Sequence, residues 1–133
     1  TGEVRLYRFA GTFGVGRVLN GKTAHSQCVG GMVWGIGSAL GEELVFDRRD
    51  GHVVNADFAE YHVPVSLDVP RIEVELVEER DAAASPLQAK GVGELGICGA
   101  GAAIGNAIYN ACGVRVRSFP VTPDKILGGL DGL

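Results

Sequence analysis

The chain has 133 residues, the length of one domain or of one piece of a larger one. Its net charge is −4 and no basic stripe runs along it, which argues against a nucleic-acid footprint, while 46% hydrophobic and 21% charged residues are ordinary for a globular protein that buries a core. Glycine is not ordinary: the 21 glycines are about twice the usual ~7% share and gather at 11–16, 30–41 and 91–105 without a repeat or low-complexity tract.

In chain order, "EVRLYRF" (3–9) sets Val4 and Leu6 between charged residues and predicts a strand. The glycine-punctuated "AGTFGVGRVLNGKT" reads as a loop, and Thr23 or Ser26 as the cap of the helix that follows. From about 24 to 44 the apolar residues Val29, Val33, Ile36 and Leu40 fall at helical spacing. Gly31 with Gly35, and Gly37 with Gly41, make smooth stripes on that helix, expected to press against a strand or a neighbouring molecule. The weakly polar run 28–41 is shorter than the about 20 residues a membrane span needs, and Glu42 and Glu43 end it. "LVFDRRDGHVV" predicts a hairpin turning at Asp50-Gly51. "RIEVELVEE" (71–79) alternates Ile72, Val74 and Leu76 with Glu73 and Glu75, a strand with one buried face; Glu78 and Glu79 read as solvated residues at its exit. After the loop "DAAASPLQAKGVGELG", a second helix carries Ile104, Ile108 and Ala111 and stops at Gly113. "VRVRSF" predicts a last strand, and "TPDKIL" a short helix capped by Thr122 with Pro123 at its first position. The order is β-α-β-β-β-α-β, a mixed sheet with two main packed helices, and the class is α+β. The chain opens without Met and straight into a strand-like run, as expected for a piece of a longer polypeptide. No signal peptide is visible.

In "AKGVGELGICGAG" (89–101) a single carboxylate, Glu94, sits between Gly91 and Gly93 on one side and Gly96 and Gly99 on the other. Unpaired N–H groups and the positive end of a helix dipole are expected nearby, and the glycines leave the main chain open to a bulky ligand. Two readings follow: a carboxylate acting as a base at the edge of a cofactor pocket, or a helix-start glutamate beside a glycine-rich turn. "GRVLNGKTAHSQ" (16–27) brings Arg17, Asn20, Lys22, Thr23, Ser26 and Gln27 to a helix N-terminus, suited to a phosphate or a polar heterocycle, or else a solvated loop with its cap. "GAGAAIG" (99–105) is spaced GxGxxxG, not GxGxxG, and no convincing strand runs directly into it, so it reads as close helix packing. His25, His52 and His62 share no ligand spacing and no metal ligand is assigned. Cys28, Cys98 and Cys112 form no CxxC pair and read as small buried hydrophobes, and Trp34 as core.

"KGVGELG", followed by a glycine- and alanine-rich helix and "NACGVRVRSFPVTPDKIL", resembles the C-terminal end of the molybdenum subunit of the xanthine dehydrogenase/aldehyde oxidase family. "GRVLNGKTAHSQCVGGMVWGIGSALGEEL" resembles the same subunit's preceding cofactor-binding segment, and the likeness runs from "GEVRLYRF" to "DKIL". It is nearest to bacterial aldehyde oxidoreductases that carry molybdopterin cytosine dinucleotide.

The resemblance implies that residues 1–133 are the C-terminal part of a molybdopterin cofactor-binding domain, one repeat of it. Glu94 matches the family's catalytic glutamate, a general base that takes a proton from the metal-bound hydroxyl. Lys90, Gly91, Val92 and Gly93 match the backbone that lies against the cofactor. Gln27 matches a pterin-binding glutamine, and Arg17, Val18, Leu19, Asn20, Gly21, Lys22 and Thr23 match the loop for the dinucleotide end. Position 21 departs from the commoner family pattern, Gly standing where Pro or Ala is more usual. The metal is anchored through the pterin dithiolene, so no protein ligand is needed. The implied function is oxidation of an aldehyde or N-heterocycle with water as oxygen source. The implied partners are the remainder of the subunit, a 2Fe-2S subunit and an FAD subunit, and this piece alone is expected to be inactive and to bind no molybdenum. A non-catalytic nucleotide-binding or assembly module is the alternative. Substrate and compartment, cytoplasmic or periplasmic, are not legible.

Overall fold

The computed structural model describes residues 1–132. Its regular elements are strand β1 (Arg8–Gly16), helix α1 (Gly21–Leu40), strand β2 (Arg71–Glu78), a 3₁₀ turn at Leu95–Ile97, and helices α2 (Ala100–Cys112) and α3 (Pro123–Leu130). The class is α+β, but the sheet is a parallel pair, not the expected mixed sheet. Parallel strands need a crossover, and α1 with the long segment 41–70 supplies it.

Four of the five expected strands differ from expectation. The first begins at Arg8 and runs through the glycine-punctuated stretch expected to be loop, while 3–7 stay outside the ladder. Pairing in register from Arg8↔Arg71 to Gly14↔Val77 overrides the weak strand propensity of glycine, and a bulge lies between Gly14 and Gly16. Arg8 reinforces the pair across the strands, its Nη2 donating to Glu73 Oε2 at 2.6 Å, and it holds that carboxyl below its ordinary pKa. The hairpin turn forms at Asp50-Gly51, with Gly51 at φ +80° and Asp47 N–H donating to the His52 carbonyl at 2.9 Å. Only one bridge, Phe46↔Val53, continues it. Segment 114–119 keeps its alternation, Val114 buried and Arg115 exposed, but forms no ladder among the described residues. Alternation reports which side is buried; a strand also needs an edge to pair with.

The core is Ile36, Ala39, Ile104, Ile108, Val121 and Ile126, where α1, α2 and α3 meet. Asn20, not Thr23 or Ser26, caps α1, its Oδ1 accepting from Thr23 N–H at 3.1 Å. Gly113, in the left-handed region at φ +78°, closes α2 as expected. Trp34 is not core: it is 51% exposed, on the side of α1 opposite Cys28, Met32 and Ile36. Cys28 is buried, Cys112 half-buried and Cys98 exposed, so one of the three fits the buried reading fully. No helix among the described residues is long and apolar enough to cross a membrane.

The Gly31–Gly35 stripe of α1 does not press on a strand. It lies against the 3₁₀ turn and the start of α2. A Cβ on Gly31 would stand 2.7 Å from Gly96 Cα, one on Gly96 would overlap the Cys28 carbonyl, and one on Gly35 would overlap the Ala100 side chain. Gly30, one residue from Gly31, has open space around it. The same substitution therefore has opposite signs at neighbouring positions. Gly31→Ala should lower stability by about 1–3 kcal/mol through overpacking, and Gly30→Ala should raise it by about 0.5–1 kcal/mol by restricting the unfolded chain. Denaturant unfolding of the two variants checks this.

Candidate functional site

β1 ends at a bulge and turns at Gly16, whose φ of +67° and crowded surroundings exclude a side chain: a Cβ there would be 2.6 Å from the Gln88 carbonyl oxygen and 3.1 Å from Lys90 N. That close approach lets the loop before Glu94 stitch onto the strand end. Arg17 N–H donates to the Gln88 carbonyl at 2.7 Å and Lys90 N–H to the Val15 carbonyl at 3.0 Å, around an antiparallel bridge Gly16↔Ala89. Gln88 holds φ +59°, uncommon without glycine, and the Ser85 hydroxyl both donates to the Ala89 carbonyl and accepts from its N–H.

The stitch brings the two expected binding segments together. A cleft of about 200 Å³ is lined by Arg17, Val18, Leu19, Asn20, Thr23, Ala24 and Gln27 from the start of α1, and by Ala89, Lys90 and Val92 from the loop, with Val15 at its base. Gln27 Nε2 donates to the Gly93 carbonyl at 3.4 Å, tying the helix face to the glycine segment. Gly21 and Lys22 are the exposed first residues of α1, outside the cleft wall. Gly91 and Gly93 are exposed, and a Cβ on either would meet nothing within 4 Å. Neither has positive φ. Among the described residues, nothing in the packing demands glycine at these two places.

Glu94 is exposed and stands ahead of the 3₁₀ turn without capping it. The expected helix-start position is not the one it holds, because the turn and the left-handed Gly99 separate it from α2. In "GAGAAIG", Gly101 packs closely on the Phe119 ring and Ala100 on Gly35, in keeping with a packing role. Glu79 is not merely solvated: its carboxylate pairs with the Lys90 ammonium, which Asp81 also faces at 3.7 Å, and the Glu79 hydrogen bond raises the lysine pKa. Sequence reasoning missed this pairing, since eleven positions separate the two charges and no helical or strand spacing connects them. Asp47, Asp50 and His52 converge within 4.8 Å, but they belong to the hairpin turn, where Asp47 accepts from Arg49 and Asp50 pairs with His52. A larger groove of about 620 Å³, between residues 2–7, the end of α1 and 62–68, holds none of the expected site residues.

A parallel pair crossed by a glycine-striped helix thus sets basic and amide side chains beside an open glycine segment, an arrangement with room for a large ligand against the main chain. A family model of the molybdopterin cofactor-binding domain matches residues 1–70, and the chain belongs to that family, among the molybdenum-binding subunits of the xanthine dehydrogenase and aldehyde oxidoreductase type. It is 54% identical over 130 residues to the aldehyde oxidoreductase molybdenum-binding subunit PaoC of Escherichia coli K12, covering 98% of this chain and 18% of that protein. It is 38% identical over 135 residues to the 6-hydroxypseudooxynicotine dehydrogenase complex subunit gamma of Paenarthrobacter nicotinovorans, 100% of this chain and 17% of that protein. The crystal structure of the aldehyde oxidoreductase from Desulfovibrio desulfuricans ATCC 27774 superposes with a TM-score of 0.86 at 32% identity, over 97% of this chain and 14% of that one. The chain thus spans less than a fifth of the length of the curated relatives it matches.

Asn20 both lines the cleft and caps α1. Asn20→Ala should cost about 1 kcal/mol of stability and speed amide exchange over residues 21–24, while Asn20→Asp should retain most of the cap. Thermal unfolding with hydrogen exchange measures both.

Proposed function

We propose that residues 1–133 form the C-terminal part of the cofactor-binding domain of a molybdenum hydroxylase, which oxidises an aldehyde or N-heterocycle with water as oxygen source and uses Glu94 as general base. One observation carries the reading: the start of α1 and the loop 89–93 meet at one cleft beside glycines that the chain's own packing does not require. The donor set suits a pterin dinucleotide. Arg17 and Lys22 supply cations and Asn20 and Thr23 polar groups at a helix N-terminus, where phosphate is favoured. Gln27 spends one N–H on the Gly93 carbonyl and keeps its Oε1 and second N–H for a heterocycle edge. Lys90, Gly91, Val92 and Gly93 offer main chain, and Val18 and Leu19 with Gly21 complete the loop. The cofactor in this reading is molybdopterin cytosine dinucleotide.

When bound, the molybdenum cofactor supplies the redox centre that takes two electrons from the substrate. The chain's own contribution is positioning and proton transfer. A Glu94 oxygen accepts the proton released as a water-derived hydroxyl becomes the nucleophile, and exposure leaves that carboxylate accessible. The 2Fe-2S and FAD groups belong to partner subunits that carry the electrons away, and the remainder of the molybdenum subunit closes the cofactor site.

In the full-length subunit, Glu94→Gln should lower turnover by about 10²–10⁴-fold, the range of general acid–base contributions, with cofactor content near that of the unsubstituted enzyme. Loss of cofactor along with activity would make Glu94 structural and end the reading. The isolated 133-residue chain should bind no molybdenum and turn nothing over; metal analysis finding stoichiometric molybdenum would contradict this.

A further inference from the structure

Glu94 follows Lys90 across Gly91-Val92-Gly93, a segment with little of its own to hold it. Neither glycine touches a neighbour that a side chain would reach, and glycine has the most backbone freedom to lose. The segment is therefore placed from its two ends. At the Gly93 end stands Gln27, through the 3.4 Å hydrogen bond. At the Lys90 end the backbone bonds to Val15, and the ammonium pairs with Glu79 and Asp81.

The main chain of Glu79 and the carboxylate of Asp81 are held before they meet the lysine. Glu79 N–H donates to the Gly16 carbonyl at 3.3 Å, carrying the ladder one residue past the end of β2. Asp81 Oδ1 accepts from Ala83 N–H at 3.0 Å, which leaves Oδ2 for Lys90. An exposed ion pair is weak when two long side chains must be ordered to make it; here Asp81 is already held and two carboxylates share one ammonium.

We propose that Glu79 and Asp81 are positioning residues for Glu94, acting through Lys90 to set the main chain of 91–94. The proposal rests on the reading of Glu94 as the base. It assigns the Lys90 ammonium to the protein's own carboxylates, not to a cofactor phosphate.

The test uses the full-length, cofactor-loaded subunit in its complex. In the double variant Glu79→Gln/Asp81→Asn, amide exchange over 91–94 should rise about fivefold with helices α1 and α2 unchanged, as expected when a local anchor of this strength is lost. In the same variant kcat should fall and KM stay within about twofold, because a misplaced base weakens the transition state more than ground-state binding. The inverted set Lys90→Glu/Glu79→Lys/Asp81→Asn restores the pairing with opposite signs and should return both exchange and kcat toward the original. Unchanged exchange over 91–94 in the double variant overturns the proposal. So does an inverted set that recovers neither quantity, which would show that the ammonium is needed as a cation in its own right. Retained turnover in Glu94→Gln would instead remove the base reading while leaving the exchange result standing, so the two failures are distinguishable.

Discussion

Backbone meets backbone where α1 crosses the 3₁₀ turn, and the rest of the site depends on that contact. Gly31 and Gly96 leave no room for a Cβ on either side, and Gly35 fits against Ala100 one turn on. Side chains there would push the helix away from the turn. At the observed separation, Gln27, one turn before Gly31, reaches the Gly93 carbonyl. Close helix packing through glycine thus becomes a distance between an amide side chain and an open main chain. The contact is van der Waals in origin, short-ranged, and intolerant of one added carbon.

A second constraint acts from the sheet side. The bulge at the end of β1 and the left-handed Gly16 turn the chain so that it stitches onto 88–90. The loop before Glu94 is therefore held by a strand end at one side and a helix face at the other, with glycine between. The electrostatics agree: the cationic and amide groups of the α1 start line the cleft, whereas the acidic pair Glu79 and Asp81 is occupied by Lys90. Rigid anchors around a bare stretch are what a site needs when a large ligand must approach the main chain and one carboxylate must keep its place.

Much was legible from residue spacing. Both main helices, the strand at 71–78, the short C-terminal helix, the Asp50-Gly51 turn and the Gly113 stop each carry a local signal that works within a few residues. Segments 16–27 and 89–101 stood out as glycine beside polar or charged groups, a pattern that left two readings open for each, and only their motifs carried the likeness to a molybdenum subunit. The errors share one cause. β1 was hidden by glycine, and its existence depends on residues 71–78, far along the chain. The 114–119 segment shows strand alternation without a ladder, and Trp34 sits at helical spacing but on the outer face. In each case local pattern states what a residue prefers, and pairing or packing elsewhere decides.

The sequence by itself determined the helices, the Gly113 stop of α2, the α+β class and the likeness to molybdenum-subunit cofactor segments. Those properties depend on local backbone preference, hydrophobic period and motif. Only the tertiary structure decided that the sheet is a parallel pair, that the glycine stripe faces the turn at 95–97, and that Lys90 answers to Glu79 and Asp81. Those depend on contacts between distant positions, where a fraction of an ångström in backbone separation selects one arrangement and excludes the rest.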